Sequence, residues 1–263
     1  MTATPVAPVA VPTPAHDRVD ILGCPVDALD MDQTVARCTQ LIDAGGFHQH
    51  VAINAAKLVA MRDDPQLREI IERCDVISAD GQSVVWASRL LNAPLPERVA
   101  GIDLMDRLLA EAVRHGYGVY ILGARAEVLQ EAVRRIRDRH EGIDIAGYRD
   151  GYFTEDEASD VCTEIRDSGA SILLVAMSSP KKELFLGEFG PHLGVPFVMG
   201  VGGAIDVTAG ITRRAPAAWQ RLGLEWLYRL LQEPRRMFRR YAVTNTRFLM
   251  MLARAVARRQ SPR

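Results

Sequence analysis

From Val19 to about Val207 short apolar runs alternate with amphipathic stretches. The runs Val51–Ile53, Val76–Ala79, Val119–Leu122, Ile172–Ala176 and Phe197–Met199 are bounded by Gly, Asp, Asn or Ser, the signature of strands buried on both faces. Helical patterns lie between them at Ile102–Arg114, Ala126–His140 and Glu155–Ser168. In the second, Val128, Ala132, Val133 and Ile136 form an apolar stripe that leaves Arg134, Arg135 and Asp138 largely outside. This alternation predicts an α/β fold with a parallel sheet and right-handed crossovers. Ligands of such sheets sit at the carboxyl ends of the strands. The residues that follow the predicted strands are therefore the first candidates: Asn54, Asp80-Gly81, Gly123, Ser178 to Glu183, and Gly200 to Asp206.

The pattern changes after Gly210. Pro216 and Pro234 stand where helices begin. Between them Trp219, Leu222, Trp226 and Leu230 recur at helical spacing, with Arg221, Glu225 and Arg229 as an i, i+4 charged row. Beyond Pro234, Arg236, Arg240, Arg247, Arg254 and Arg258 fall on one helical stripe, interrupted by Val243 and Met251, with Phe238, Tyr241, Phe248, Leu249 and Leu252 elsewhere around the helix. Two basic amphipathic helices forming a C-terminal appendage are predicted over residues 211–263, after an α/β core over 19–210. Residues 1–18, rich in Pro, Ala, Thr and Val without a basic region before an apolar run, predict a disordered leader and not a signal peptide.

Charge sharpens this division. From Arg213 to Arg263 thirteen arginines face only Glu225 and Glu233, a charge of about +11. The chain's net charge of −1 thus hides an acidic body joined to a basic tail, which points to an anionic partner surface. No apolar stretch reaches the roughly 18 residues that span a bilayer, so the chain can lie on a membrane but not cross it. Cys24, Cys38, Cys74 and Cys162 are scattered without ligand spacing and read as reduced thiols of a cytosolic protein.

Each candidate has two readings. Asp80, directly after a strand and followed by glycine, projects a carboxylate into the strand-end crevice as a general base requires; a cap for a helix over Gln82–Leu91 is the plainer reading of the residues alone. Gly200 to Asp206 offers unobstructed backbone to a diphosphate, yet Ile205 stands where a dinucleotide fingerprint needs glycine, and a tight turn is the plainer reading. Lys181-Lys182-Glu183 offers cations to phosphate or is a solvated face. His48 and His50 share a strand face and lack a third metal ligand. Asp30-Met31-Asp32 formally matches a metal-nucleotide D-x-D but reads as capping charge ahead of a helix over Thr34–Ile42.

The chain from Asn54 to Tyr241 resembles the WecG/TagA/CpsF family of bacterial glycosyltransferases. The motifs are collinear: Asn54, Ala79-Asp80-Gly81, Glu97 to Gly101, Leu122-Gly123, Gly151-Tyr152-Phe153, Ser179 to Glu183, Gly200 to Asp206, Arg214-Ala215-Pro216, Gly223 to Arg229, Glu233 to Arg236, and Arg240-Tyr241. The resemblance implies a Rossmann-like core and an appendage that contacts the membrane. It implies an inverting transferase that moves a sugar from a UDP-sugar to a polyprenyl-diphosphate-linked sugar in cell-surface polysaccharide synthesis, at the cytoplasmic face of the plasma membrane. It further implies Asp80 as the base, no essential metal or cofactor, and self-association. Asn54, Arg98 and Lys182 then join Asp80 as catalytic candidates. Gly123, Gly202, Gly203 and Asp206 become nucleotide candidates, and Arg229, Arg236 and Arg240 contacts to membrane or diphosphate. The chain departs from the family pattern at Ala52, where threonine is common, at Ser178, where glycine is usual, and at Lys182, where glutamine is usual; the lysine would suit an acidic donor sugar in place of the N-acetylmannosamine type, or a different acceptor.

A nucleic-acid-binding protein using the arginine helices is the rival reading. The alternation of those arginines with Phe, Leu and Met favours a membrane surface instead, so nucleic acid is not expected as a partner. A dehydrogenase is disfavoured by the missing fingerprint.

Overall fold

The structure is a computed structural model that describes residues 17–154 and 156–260; the side chains of Arg221, Arg236, Met237, Arg239, Arg240, Arg259 and Gln260 fall outside the description. A short antiparallel hairpin, β1 (Arg18–Ile21) and β2 (Cys24–Asp27), comes first. It is followed by α1 (Met31–Ala44), β3 (His48–Ile53), α2 (Ala55–Asp63), α3 (Pro65–Glu72), β4 (Val76–Ala79), α4 (Gln82–Leu90) and α5 (Gly101–His115). Next come β5 (Val119–Gly123), α6 (Ala126–Arg139), β6 (Ile145–Arg149), α7 (Ala158–Asp167), β7 (Ile172–Ala176), α8 (Lys181–Phe189), β8 (Phe197–Gly200) and α9 (Ala204–Thr208). The chain ends in α10 (Ala217–Arg221), α11 (Glu225–Gln232) and α12 (Pro234–Gln260).

Six strands form one parallel sheet in the order β4-β3-β8-β7-β5-β6. Each predicted strand is present. Alternate side chains serve opposite faces: Val119, Ile121, Ile172, Leu174, Phe197 and Met199 pack with α1, α5 and α6 on one side, while Tyr120, Leu122, Leu173, Val175 and Val198 pack with α7 and α8 on the other. The fold is a three-layer α/β/α arrangement with a Rossmann-like sheet. β6 and the hairpin were not predicted. The hairpin turns on Leu22 and Gly23, both at positive φ, and covers the β4 edge. Asp27 accepts from the Ile77 amide at 2.7 Å and from Arg18 Nε at 2.7 Å, which satisfies an edge donor that would otherwise be open to pairing.

The C-terminal region differs from expectation in two ways. Gly223, at φ +69°, breaks the helix expected between Pro216 and Pro234 into α10 and α11, so Arg221, Glu225 and Arg229 do not form one row. The second difference concerns α12. Phe248 and Leu252, on the helix of an appendage expected to contact the membrane, are only 4 % and 8 % exposed and, with Met251, pack into the cluster formed by the hairpin, α2, α3 and β4. Arg247, one of the aligned arginines, makes two 2.6 Å hydrogen bonds to Asp63 of α2. Burying three such apolar side chains is worth roughly 5–9 kcal/mol, comparable with the whole stability of a domain, about 5–15 kcal/mol. Truncation after Pro234 would therefore expose this cluster and is expected to lower the stability of the core.

Candidate active site

The carboxyl ends of the strands lie along one edge of the sheet. The register pairs Ile53 with Ala79, so Asn54 and Asp80 emerge side by side, and both the Asp80 and Gly81 amides donate to the Ile53 carbonyl. Asn54 caps α2: its Oδ1 accepts from the Lys57 amide at 3.0 Å. A Cβ on Gly81 would come within 3.2–3.3 Å of Asn54, so a glycine here lets the two strand ends approach.

Asp80 does cap a helix, but not the expected one. α4 has Gly81 at its N-cap and no side-chain cap. The Asp80 carboxylate instead reaches α5, whose own N-cap Ala100 has no side chain to offer, and Oδ1 accepts from the Gly101 amide at 3.1 Å. The Val99 amide donates to the Ala79 carbonyl at 2.9 Å, laying residues 98–101 directly along the strand end. Among the described residues no hydrogen bond to Oδ2 is present, and Asp80 remains partly exposed. Its carboxyl is held above the usual range, chiefly by burial and further by Glu225, against the opposing pull of the Gly101 hydrogen bond and of Arg98 and Lys57. A half-buried carboxylate with one oxygen fixed and one free is what a proton acceptor needs.

Arg98 belongs to the same cluster. Its guanidinium grips Glu225 of α11 through Nη1–Oε2 at 2.9 Å and Nη2–Oε1 at 3.3 Å. The C-terminal region thus reaches the strand ends. Gly223 sits on α4, where a Cβ would strike Gln82 and approach the Trp86 ring. Arg214 donates to Asp103 in the first turn of α5 at 2.6 Å. Arg229 lies over the turn after β8: a Cβ on Gly203 would meet its Nη2 at 2.6 Å, with Asp206 Oδ2 at 3.6 Å. Arg229 Nε is buried without a hydrogen-bond partner. Gly202, at φ +48°, has open space beside it. Gly123 is different. At φ +123° it abuts Ala176, where a Cβ would overlap backbone at 2.6 Å, so its glycine serves the packing of β5 on β7. Beside it a cavity of about 350 Å³ opens between α6 and the end of β6, lined by Tyr148, Arg149, Asp150 and Tyr152 among others.

Lys182 stands apart from the open strand ends. Its side chain is buried, packs where a Cβ on Gly200 would stand, and shares Glu183 with Lys57: both ammonium groups lie on Oε1, at 2.7 and 2.8 Å. Burial, then Lys57, brings the Lys182 ammonium down to about 8. Burial opposes ionisation of Glu183, but the two lysines outweigh it and hold the carboxyl at about 2. Next to this triad His50 bonds Ser78 through Nε2 at 2.9 Å, while His48 pairs with Asp75. Asp30 forms a complete capping box with Gln33.

Among the described residues no group of three or more His, Cys, Asp or Glu is placed to hold a metal ion, and no helix is long and apolar enough to cross a membrane. The expected contacts of the Arg236 and Arg240 side chains fall outside the described residues. Glu225 and Lys57 had not been singled out for the site. An acid inside an otherwise arginine-only tail was the available signal for Glu225; Lys57, on a helix beside a strand end, carried none. The sequence model of the Glycosyl transferase WecG/TagA/CpsF family matches residues 19–262.

Proposed function

The chain belongs to the WecG/TagA/CpsF family of glycosyltransferases, and we propose that it transfers a sugar from a UDP-sugar to a polyprenyl-diphosphate-linked sugar with inversion, using Asp80 as the base. In this reading the acceptor hydroxyl gives its proton to Asp80 Oδ2 as its oxygen bonds to the anomeric carbon. The bond from that carbon to the UDP oxygen breaks, and UDP leaves with the electron pair. The free, partly buried Asp80 carboxylate at the strand ends is the observation that carries the proposal. Arg229, whose Nη2 lies over Gly203, is the cation for the departing diphosphate. That role, open to Lys182 on sequence alone, suits Arg229 better because the Lys182 amine is buried and bonded to Glu183. Asn54 and Arg98 border the acceptor, and Gly202, Gly203 and Asp206 border the nucleotide. Because the lysine is sealed in a buried triad, the donor's charge is not read by it.

The acceptor cannot leave the bilayer, so the enzyme works on the inner face of the membrane. With Phe248 and Leu252 buried, lipid contact falls to the outer surface. Exposed apolar side chains there are Phe238, Val243, Leu249 and Met250 of α12, Trp226 of α11 and Leu222 before it, with Trp86 and Leu90 of α4; Arg89, Arg235, Arg254 and Arg258 of the same helices are exposed as well. Half-exposed tryptophans and arginines near anionic lipid each favour an interfacial position, about 1 kcal/mol per arginine; without lipid the same face serves a second copy.

Transfer from radiolabelled UDP-sugars to a short-chain lipid-diphosphate acceptor tests the chemistry. Asp80→Asn is expected to lower kcat by roughly 10²–10⁴-fold while UDP still raises Tm; near-normal turnover would remove Asp80 from its role. Sedimentation with phosphatidylglycerol vesicles tests the location. Arg254→Glu with Arg258→Glu should weaken binding and flatten its salt dependence, and unchanged binding would exclude that end of α12 from the lipid face.

A further inference from the structure

Glu225 is one of only two acids in the arginine-rich segment, and its carboxylate is not spent on a neighbouring arginine of its own helix. It crosses to the core and takes the Arg98 guanidinium through two hydrogen bonds, at 2.9 and 3.3 Å. The Arg98 side chain is 14 % exposed and that of Glu225 31 %, so the pair is shielded enough for its charges to act strongly on their surroundings. Arg98 is covalently next to Val99, whose amide bonds the residue preceding Asp80. A guanidinium in this position has two carboxylates within its field, Asp80 and Glu225, and only Glu225 is bonded to it.

We propose that Glu225 is a positioning residue for the base: by occupying the Arg98 guanidinium it prevents an Arg98–Asp80 ion pair and leaves the Asp80 carboxylate free to accept a proton. This rests on the proposed role of Asp80. The groups that face Asp80 are the Gly101 amide of α5, Arg98 before it, Lys57 of α2 and Glu225 of α11. Among the described residues, two of the three charged groups are cations, and Glu225 is the opposing charge. Without it, Arg98 and Lys57 would together stabilise the Asp80 anion and lower its proton affinity, making it a poorer base by Brønsted behaviour. A carboxylate pair with one arginine gives the arrangement its sense. The bidentate site goes to the residue on the C-terminal region, and the single free oxygen remains on the strand.

Glu225→Gln keeps the size of the side chain and removes its charge. The expected result is a fall in kcat of about tenfold or more, a donor KM within about twofold, and an acid limb of the pH–rate profile moved to lower pH. Glu225→Asp should restore part of the rate. Carbon-13 NMR of aspartate-labelled protein, with Asp80→Asn to assign the resonance, reads the same effect without turnover: the Asp80 titration midpoint should fall in Glu225→Gln. An unchanged midpoint overturns the proposal. So does lost activity at an unchanged midpoint with faster hydrogen exchange along α11, because Glu225 would then only anchor that helix. Absence of sugar transfer by the unsubstituted protein would refute the proposed function, and the titration would still decide the role of Glu225.

Discussion

The protein holds two charge clusters of opposite make-up, one buried inside the fold and one at the carboxyl ends of β3 and β4. In one, two lysines, Lys57 and Lys182, share a single carboxylate, Glu183, inside the fold. In the other, two carboxylates, Asp80 and Glu225, attend a single arginine, Arg98, at a half-open surface. The first is sealed: Glu183 is 1 % exposed and both ammonium groups converge on one of its oxygens. The second has a deliberate remainder, because the arginine satisfies Glu225 and leaves Asp80 with an oxygen to spare. Burial of charge is costly in both.

Three substitutions separate these roles. Glu183→Gln strikes hardest at stability. It leaves two buried ammonium groups facing each other, a loss of roughly 3–5 kcal/mol that lowers Tm by about 10 °C in thermal melts. A Tm within about 2 °C of the unsubstituted protein would show that the triad is not a sealed unit. Asp80→Asn should move stability the other way. Because the folded protein holds the Asp80 proton more tightly than the unfolded chain does, this residue favours folding only at acidic pH, and that contribution is lost as pH rises through its raised folded value. The neutral amide, whose oxygen can still accept from Gly101, therefore raises Tm at pH 8, and the gain disappears near pH 4. A destabilised variant at pH 8 would mean that the charge itself is structural. The mildest change is Lys182→Gln. It leaves Lys57 and Glu183 as a one-to-one pair, so Tm should hold or rise and the transfer rate should stay within about threefold, since the base and Arg229 are untouched. A hundredfold loss of rate would return Lys182 to the catalytic machinery.

These two clusters also mark the boundary of what the chain reveals before folding. The strands with buried runs were visible from periodicity. β6, Ile145–Arg149, was not, because an edge strand with glycine at its centre and mostly half-buried residues has no apolar run. The hairpin escaped for a similar reason: four-residue strands around a Leu-Gly turn lack the usual Asn-Gly or Asp-Gly signal. At the site, Asp80 could be identified as a cap or a base, but not as the cap of a helix beginning 21 residues later. That contact is tertiary. Lys182 was visible as a cation, yet its partner Lys57 lies 125 positions earlier, and nothing local indicates that their charges meet on Glu183. On α12 the apolar stripe was legible and its cover was not. Amphipathic spacing states that one face avoids water, and a bilayer and a protein core are alike in that respect. Phe248 and Leu252 went to the core.

The seating of α12 has a consequence for how the chain is made. The cluster that receives Phe248, Met251 and Leu252 is built from Ile21, Cys24, Val26 and residues of α2 to α4, all within the first hundred positions. On a ribosome those early segments emerge well before the helix that closes them, by on the order of ten seconds at ordinary elongation rates. During that interval a nascent chain presents an uncovered greasy groove beside β4, and only the arrival of the final turns of α12 shuts it. Synthesis order thus makes the arrival of α12, and not the gradual growth of the early segments, the event that covers this cluster.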